Sequence, residues 1–227
     1  MKDIMLITGA SSGLGLALAQ CAIRSGLAVH GIATNEQKLK KCKTALGEDF
    51  TYSVCDISDQ KAVSGIVASV AQKGNLRYLI NNAQRAVFRA VTDYSEEDAE
   101  TSLKGLKGMI FCTQEVLKAK QEADVTVVNI GSSASFTGKG NEALYCAVKW
   151  GVRGYTEALQ DRYKGSSVKI IGAYPSGMDT PFWDNSRDYM SCEKTAGFMS
   201  PESVAEVILH NVLAESVTVT ELRISRN

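Results

Sequence analysis

The sequence predicts an α/β fold: a parallel sheet of seven strands, doubly wound, with helices on both faces, in a single domain spanning residues 1–227. Three observations carry the prediction. Short runs rich in Val and Ile recur at regular intervals, and each reads as a strand buried on both faces. Segments of helical periodicity separate them one for one, which implies parallel strands joined by right-handed crossovers. No repeat, low-complexity tract or linker interrupts the alternation.

The first strand is IMLIT (4–8), followed by a helical pattern over 13–25. LAVHGIA (27–33) leads into 36–46, where the lysine-rich EQKLKKCK (36–43) reads as a solvated helix face. FTYSVC (50–55) precedes a helix over 59–73, and YLIN (78–81) precedes a long one over 96–119 with Ser95 as its N-cap. VTVVNI (125–130) is followed by a helix over 143–163, then by VKIIGAY (168–174). Ser200 caps the last helix, 201–214, and Pro201 occupies the first helical position, where a missing N–H costs nothing. VTVTEL (217–222) completes the sheet. Only 176–200 is long and irregular enough to serve as a functional loop.

Composition excludes several classes of function. Twenty-five Lys and Arg balance 25 Asp and Glu, so no electrostatic footprint for nucleic acid or an anionic membrane exists. No apolar run reaches membrane-spanning length, and Lys2 and Asp3 lead into a run too short for a signal peptide. A soluble, cytoplasmic chain with no membrane or nucleic-acid partner is expected. The six cysteines are scattered, without a CxxC pair or a neighbouring His, so no metal site is expected and the thiols read as buried and reduced.

Chemistry is concentrated in two motifs. TGASSGLG (8–15) places Gly9, Gly13 and Gly15 at a strand-to-helix turn, where a tight backbone and a helix N-terminus suit a pyrophosphate. YCAVK (145–149) puts a phenol and an ammonium one helical turn apart on one face. A phenol of ordinary pKa, near ~10, is poorly matched to proton transfer at neutral pH. The fixed charge of Lys149 is expected to lower the pKa of Tyr145. Alone, the pair also reads as a surface i,i+4 contact.

TGASSGLG, CDISD (55–59), NNA (81–83), Ser132 thirteen residues before Tyr145, YCAVK and PSGMDT (175–180) follow in an order that resembles the short-chain dehydrogenase/reductase family, over nearly the whole chain. The resemblance implies a Rossmann fold of the compact type and an NAD(P)-dependent oxidoreductase that interconverts a carbonyl and a secondary alcohol. By the same resemblance Tyr145 is the acid/base, Ser132 holds the substrate oxygen, and Lys149 also binds the nicotinamide ribose. Further cofactor contacts are implied for Gly9, Ser11, Ser12, Gly13, Leu14 and Gly15 at the pyrophosphate, and for Asp56 and Ile57 at the adenine. Asn82 and Ala83 are implied near the nicotinamide-side ribose, and Pro175, Ser176, Gly177, Met178 and Thr180 over the carboxamide. After the second strand, Ala33 stands where NAD-preferring relatives place an acid. With Thr34, Asn35 and Lys38 available to a 2′-phosphate, NADP(H) is favoured over NAD(H). Pairing through 96–119 and 143–163 into a homodimer or homotetramer is also implied.

Three positions depart from the family pattern. Gly105 stands where the family carries an asparagine; the expectation is slowed turnover at most, with Gly105→Asn raising the rate. Gln84 replaces the glycine of NNAG, and Ser176 the glycine after Pro175. These departures keep open a second class, a dinucleotide-binding sensor or partner protein with weak or no turnover. Phe182 and Trp183 either cover an apolar substrate or pack a short helix. Arg85 and Arg89 are either surface charges or contacts for an anionic substrate group. The short loop suggests a rather open site.

Overall fold

The structure, a computed structural model, describes residues 2–186 and 197–226. Seven parallel strands form one sheet: β1 (Asp3–Thr8), β2 (Ala28–Ala33), β3 (Phe50–Val54), β4 (Asn75–Asn81), β5 (Thr126–Ile130), β6 (Lys169–Pro175) and β7 (Glu221–Ile224), in the order β3-β2-β1-β4-β5-β6-β7. The helices are α1 (Gly13–Arg24), α2 (Glu36–Leu46), α3 (Gln60–Lys73), α4 (Glu96–Ala119), α5 (Ala143–Arg162) and α6 (Pro201–Val212). The expected fold class is the observed one, a Rossmann-type α/β sheet with helices on both faces.

Side-chain pattern explains the layering. Met5 and Ile7 of β1 point into one core with Leu18 of α1, Leu39 of α2 and Ile208 of α6. Leu6, from the same strand, points to the other face, where α3, α4 and α5 supply Val67, Val116 and Leu159. A strand buried on both faces has no polar side to alternate, hence the near-continuous apolar runs.

Two edge strands correct the reading that every strand is buried on both faces. β3 and β7 each leave residues exposed, because each has a neighbour on one side only. The last strand also lies later than VTVTEL: it is Glu221–Ile224, and Val217 is 60% exposed. Ladder pairing begins where Glu221 meets Gly172, whose N–H donates to the Thr220 carbonyl at 2.9 Å, so Val217 to Val219 lie ahead of the ladder.

Caps and polar ties fix the helices that matter most. Ser95 and Asp98 form a reciprocal capping box at α4, and Ser200 accepts from the Ser203 N–H at α6, with Pro201 in the first turn. Beneath α4 and α5, Asn81 Nδ2 donates to Thr113 Oγ1 and to Asn129 Oδ1, both at 2.9 Å, and Asn129 Nδ2 donates to Thr156 Oγ1 at 3.0 Å. This buried amide ladder ties two strands to the two long helices and sets where α5 presents its side chains.

The five described cysteines are buried and unpaired, as expected, and Cys192 lies outside the described residues. No helix among the described residues is long and apolar enough to cross a membrane, and those residues contain no His/Cys/Asp/Glu cluster fit to hold a metal.

Candidate active site

Winding reverses between β1 and β4, and the loops leaving the carboxyl ends of the strands diverge there into a cleft of about 910 Å³. At its floor Gly9 adopts a left-handed backbone (φ 69°) and donates to the Ile32 carbonyl at 2.7 Å. Asn82 braces the same turn: its Nδ2 donates to the Thr8 carbonyl at 3.0 Å, while Thr8 Oγ1 accepts the N–H groups of Asn82 and Ala83. Ser12, the N-cap of α1, makes no side-chain cap, and no acid occupies the first turn. The amide dipoles of that turn therefore face the cleft uncompensated, as an anion requires.

Gly9, Ser11, Ser12, Gly13, Leu14, Thr34, Asn35, Asp56, Ile57, Asn82, Ala83 and the 175–180 segment's Pro175, Ser176, Gly177, Met178 and Thr180 all line this cleft, together with Ser132, Tyr145 and Lys149. Gly15 does not line it. A Cβ at Gly15 would collide with the Gly9 carbonyl, so this glycine serves the close packing of α1 under the turn. Thr180 reaches across from β6: a Cβ built on Gly13 would lie 3.3 Å from its Cβ, so the two banks of the cleft nearly meet. The segment is tied down where Met199 N–H donates to the Gly177 carbonyl at 3.1 Å. Asp56 Oδ1 accepts from the Ser58 N–H at 2.9 Å, the first cause that holds its carboxyl below the ordinary range, with Lys104 3.9 Å away.

At the other end of the cleft, Ser132 leaves the end of β5 and Tyr145 and Lys149 descend from α5. Three bonds lock this corner: Ser135 Oγ donates to the Lys149 carbonyl at 2.9 Å, Ser132 Oγ accepts from the Ala134 N–H at 3.1 Å, and Lys149 Nζ donates to the Ile130 carbonyl at 2.8 Å. The Ser132 side chain acts on the Tyr145 phenol, and Lys149 Nζ is 5.7 Å from the Tyr145 ring centre.

The expected downward shift of Tyr145 is not observed. Burial pushes its phenol well above the ordinary range; the Ser132 side chain offsets part of this, and the nearby Glu142 adds to the rise. The same burial lowers Lys149 to about 7. A cation that is itself desolvated and turned toward a carbonyl has little charge to lend, which is why spacing on a helix misjudged the sign.

Aromatic rings enclose the phenol, correcting the expectation of an open site. Phe88 lies 5.4 Å from the Tyr145 ring and stacks on Trp183, also at 5.4 Å, while Phe182 is 5.9 Å from Tyr145. Tyr145 is left 8% exposed. Trp183 Nε1 donates to the Met178 carbonyl at 2.8 Å, which anchors this wall to the 175–180 segment. Residues 187–190 of the TPFWDNSRDYM stretch lie outside the described residues. Arg89 pairs with Asp98 at 3.1 Å, and Arg85 acts on Asp56 at the opposite end of the cleft. Neither arginine acts at Tyr145.

Sequence reasoning missed Phe88 and Glu142. Glu142 is buried, lines the cleft and sits 3.6 Å from Lys139. Its place one helical turn before Tyr145 could have flagged it. Phe88 carried no signal, since it lies in an irregular segment far from Tyr145 in the sequence.

The profile of the family described as short chain dehydrogenase matches residues 3–191. The chain belongs to that family. The chain is similar to a 3beta-hydroxysteroid dehydrogenase of Mediterraneibacter gnavus, 31% identical over 82% of this chain and 69% of the relative, and to a sepiapterin reductase of Chlorobaculum tepidum, 29% identical over 97% and 94%. Among solved structures, a serine dehydrogenase complexed with NADP+ superposes with a TM-score of 0.90 at 26% identity, covering 97% of this chain and 94% of that one. An actinorhodin polyketide ketoreductase variant with NADPH gives 0.90 at 25% identity, covering 99% and 96%. This short-chain dehydrogenase is accordingly an NAD(P)-dependent oxidoreductase, and the uncapped α1 terminus over a glycine turn fits such a dinucleotide.

Proposed function

We propose that the protein interconverts an uncharged, apolar carbonyl compound and its secondary alcohol, with NADP(H) favoured over NAD(H), and with one unit spanning 1–227 both holding the dinucleotide and carrying the chemistry. The observation that carries this reading is the convergence of Ser132, Tyr145 and Lys149, the last one turn after the phenol, at the aromatic end of one cleft.

The bound dinucleotide supplies or accepts the hydride. The rest falls to side chains. A phenol held in its protonated form by burial is ready to donate, so Tyr145 passes its proton to the carbonyl oxygen in the reductive direction. Ser132 holds that oxygen and, by its action on the Tyr145 phenol, favours the phenolate left behind. Lys149, its pKa lowered to about 7 by burial, stands 5.7 Å from the ring centre as the basic group on the same side of the phenol. Phe88, Phe182 and Trp183 exclude water and favour an apolar substrate, and among the described residues no arginine acts at the phenol. At the adenosine end, Gly9, Ser11, Ser12, Gly13 and Leu14 serve the pyrophosphate, Asp56 and Ile57 the adenine, and Thr34, Asn35 and Lys38 the 2′-phosphate. The lack of a carboxylate at Ala33 and Thr34 supports NADP(H), as do the two similar structures that hold NADP+ and NADPH. Asn82, Ala83 and Pro175 to Thr180 serve the nicotinamide side.

Assembly into a homodimer or homotetramer through α4 and α5 is part of the same reading, supported by exposed Leu103, Ile110 and Trp150 on those helices. A cytoplasmic location agrees with buried, unpaired thiols.

The test is Tyr145→Phe on a ketone and aldehyde panel, with NADPH and NADH titrated separately by fluorescence. NADPH binding should persist and turnover should vanish. Parent-like turnover in the variant defeats the assignment of the proton donor, whereas binding without any turnover in the parent favours the sensor reading.

A further inference from the structure

The two departures Gln84 and Gly105 meet in space. Gly105 is buried within α4, and a Cβ built there would collide with Gln84 Oε1 and approach its Cδ at 2.7 Å. Its backbone is not left-handed, and a helix interior disfavours glycine. What favours glycine is therefore the space, closed chiefly by the Gln84 carboxamide and also by the Ala83 carbonyl 3.0 Å from the built Cβ. Gln84 fills that space and uses it: Nε2 donates to the Ser102 carbonyl of α4 at 2.8 Å and to the Arg85 carbonyl at 2.6 Å. An asparagine at 105 would need the room that Gln84 occupies, which reverses the expectation that Gly105→Asn alone raises the rate.

The consequence lies four residues on. Residues 82–88 have no regular structure, and β4 ends at Asn81. Among bonds between described residues, those tying 84–89 to the rest are the Gln84 carboxamide at one end and the Arg89–Asp98 ion pair at the other. Between these two anchors sits Phe88, which packs on Tyr145 and Trp183.

We propose that Gln84 is a positioning residue: its carboxamide, seated in the notch that Gly105 leaves in α4, fixes the segment that holds Phe88 against the reaction end of the cleft. The proposal deepens the proposed function, because it rests on that end being the substrate chamber. Gln84 acts through Phe88 and shapes the substrate site; its second bond, to the Arg85 carbonyl, is the one that faces the adenosine end, where Arg85 acts on Asp56.

The experiment has two arms on the full chain. In thermal melts, Gly105→Ala should lower Tm by ~4 °C or more in the parent, since the methyl evicts Gln84, and by less than half as much in the Gln84→Gly background. Equal losses in both backgrounds overturn the notch. In kinetics with a ketone that the parent reduces, Gln84→Gly should raise KM at least about fivefold while kcat changes less than about twofold and the NADPH Kd holds within about twofold. Gln84→Glu keeps the shape but turns an acceptor toward two carbonyls, so it should behave like Gln84→Gly; the double variant Gln84→Gly, Gly105→Asn, which returns an amide from the helix side, should restore KM to within about twofold. An unchanged KM in Gln84→Gly, or a Kd for NADPH that weakens in step with KM, overturns the proposal. If the parent reduces no carbonyl compound, the proposed function fails while the melts still decide whether Gln84 is seated as described.

Discussion

Lys149 should cost the fold stability, and Lys149→Met should recover it. The ammonium is 4% exposed, and burial brings its pKa from 10.5 to about 7. Between those values the unfolded chain binds a proton that the folded chain does not, so stability rises with pH across the interval and is lowest below about 7. At ~1.36 kcal/mol per pH unit the full interval amounts to roughly 5 kcal/mol. Methionine fills a similar volume without a charge, but it forfeits the 2.8 Å bond to the Ile130 carbonyl, worth ~1–2 kcal/mol. The variant should therefore be more stable than the parent by ~2–4 kcal/mol at pH 7 while losing turnover. Urea unfolding of both proteins, without added dinucleotide, at intervals from pH 6.5 to 10.5 measures the difference; other titrating groups cancel between them. The gap should shrink steadily from pH 7 upward and change sign near pH 10. A gap that stays constant with pH, or a Met variant less stable at pH 7, refutes the reasoning.

Other expectations follow from the same geometry. His30 is buried between Thr51 Oγ1 at 2.8 Å and Ser53 Oγ at 2.9 Å, and burial lowers its pKa to about 4. Acidification from pH 6.5 to 4 then protonates the unfolded chain preferentially and should cost the parent ~3 kcal/mol relative to His30→Gln, read from denaturant midpoints at each pH. Gly15→Ala should lower stability by ~1–3 kcal/mol and weaken NADPH binding although residue 15 does not line the cleft, because its methyl displaces the Gly9 carbonyl; a melt within a degree of the parent would contradict this. Asn129→Ala removes the partner of Asn81 and Thr156 in a buried network and should cost ~2–4 kcal/mol in guanidinium unfolding, with α5 loosened and turnover reduced; a loss below half a kcal/mol would mean the amide ladder carries little.

Much of this molecule was legible in one dimension because its signals are local. Apolar runs such as IMLIT and VTVVNI announce strands covered on both sides, Ser95 and Ser200 mark helix starts, and the glycine turn after β1 declares an anion site through backbone geometry alone. Motif order alone assigns Ser132, Tyr145 and Lys149 to one site, and all three line the same cleft. Tertiary structure decided whatever depends on burial or on contact between distant segments. Desolvation, which no spacing rule contains, set the direction of the Tyr145 and Lys149 shifts. The neighbour of each strand decided which edges stay wet and where β7 begins. Gln84 and Gly105 read as two separate oddities twenty-one residues apart until packing made them one joint, since only the fold brings a side chain to the space another residue has left.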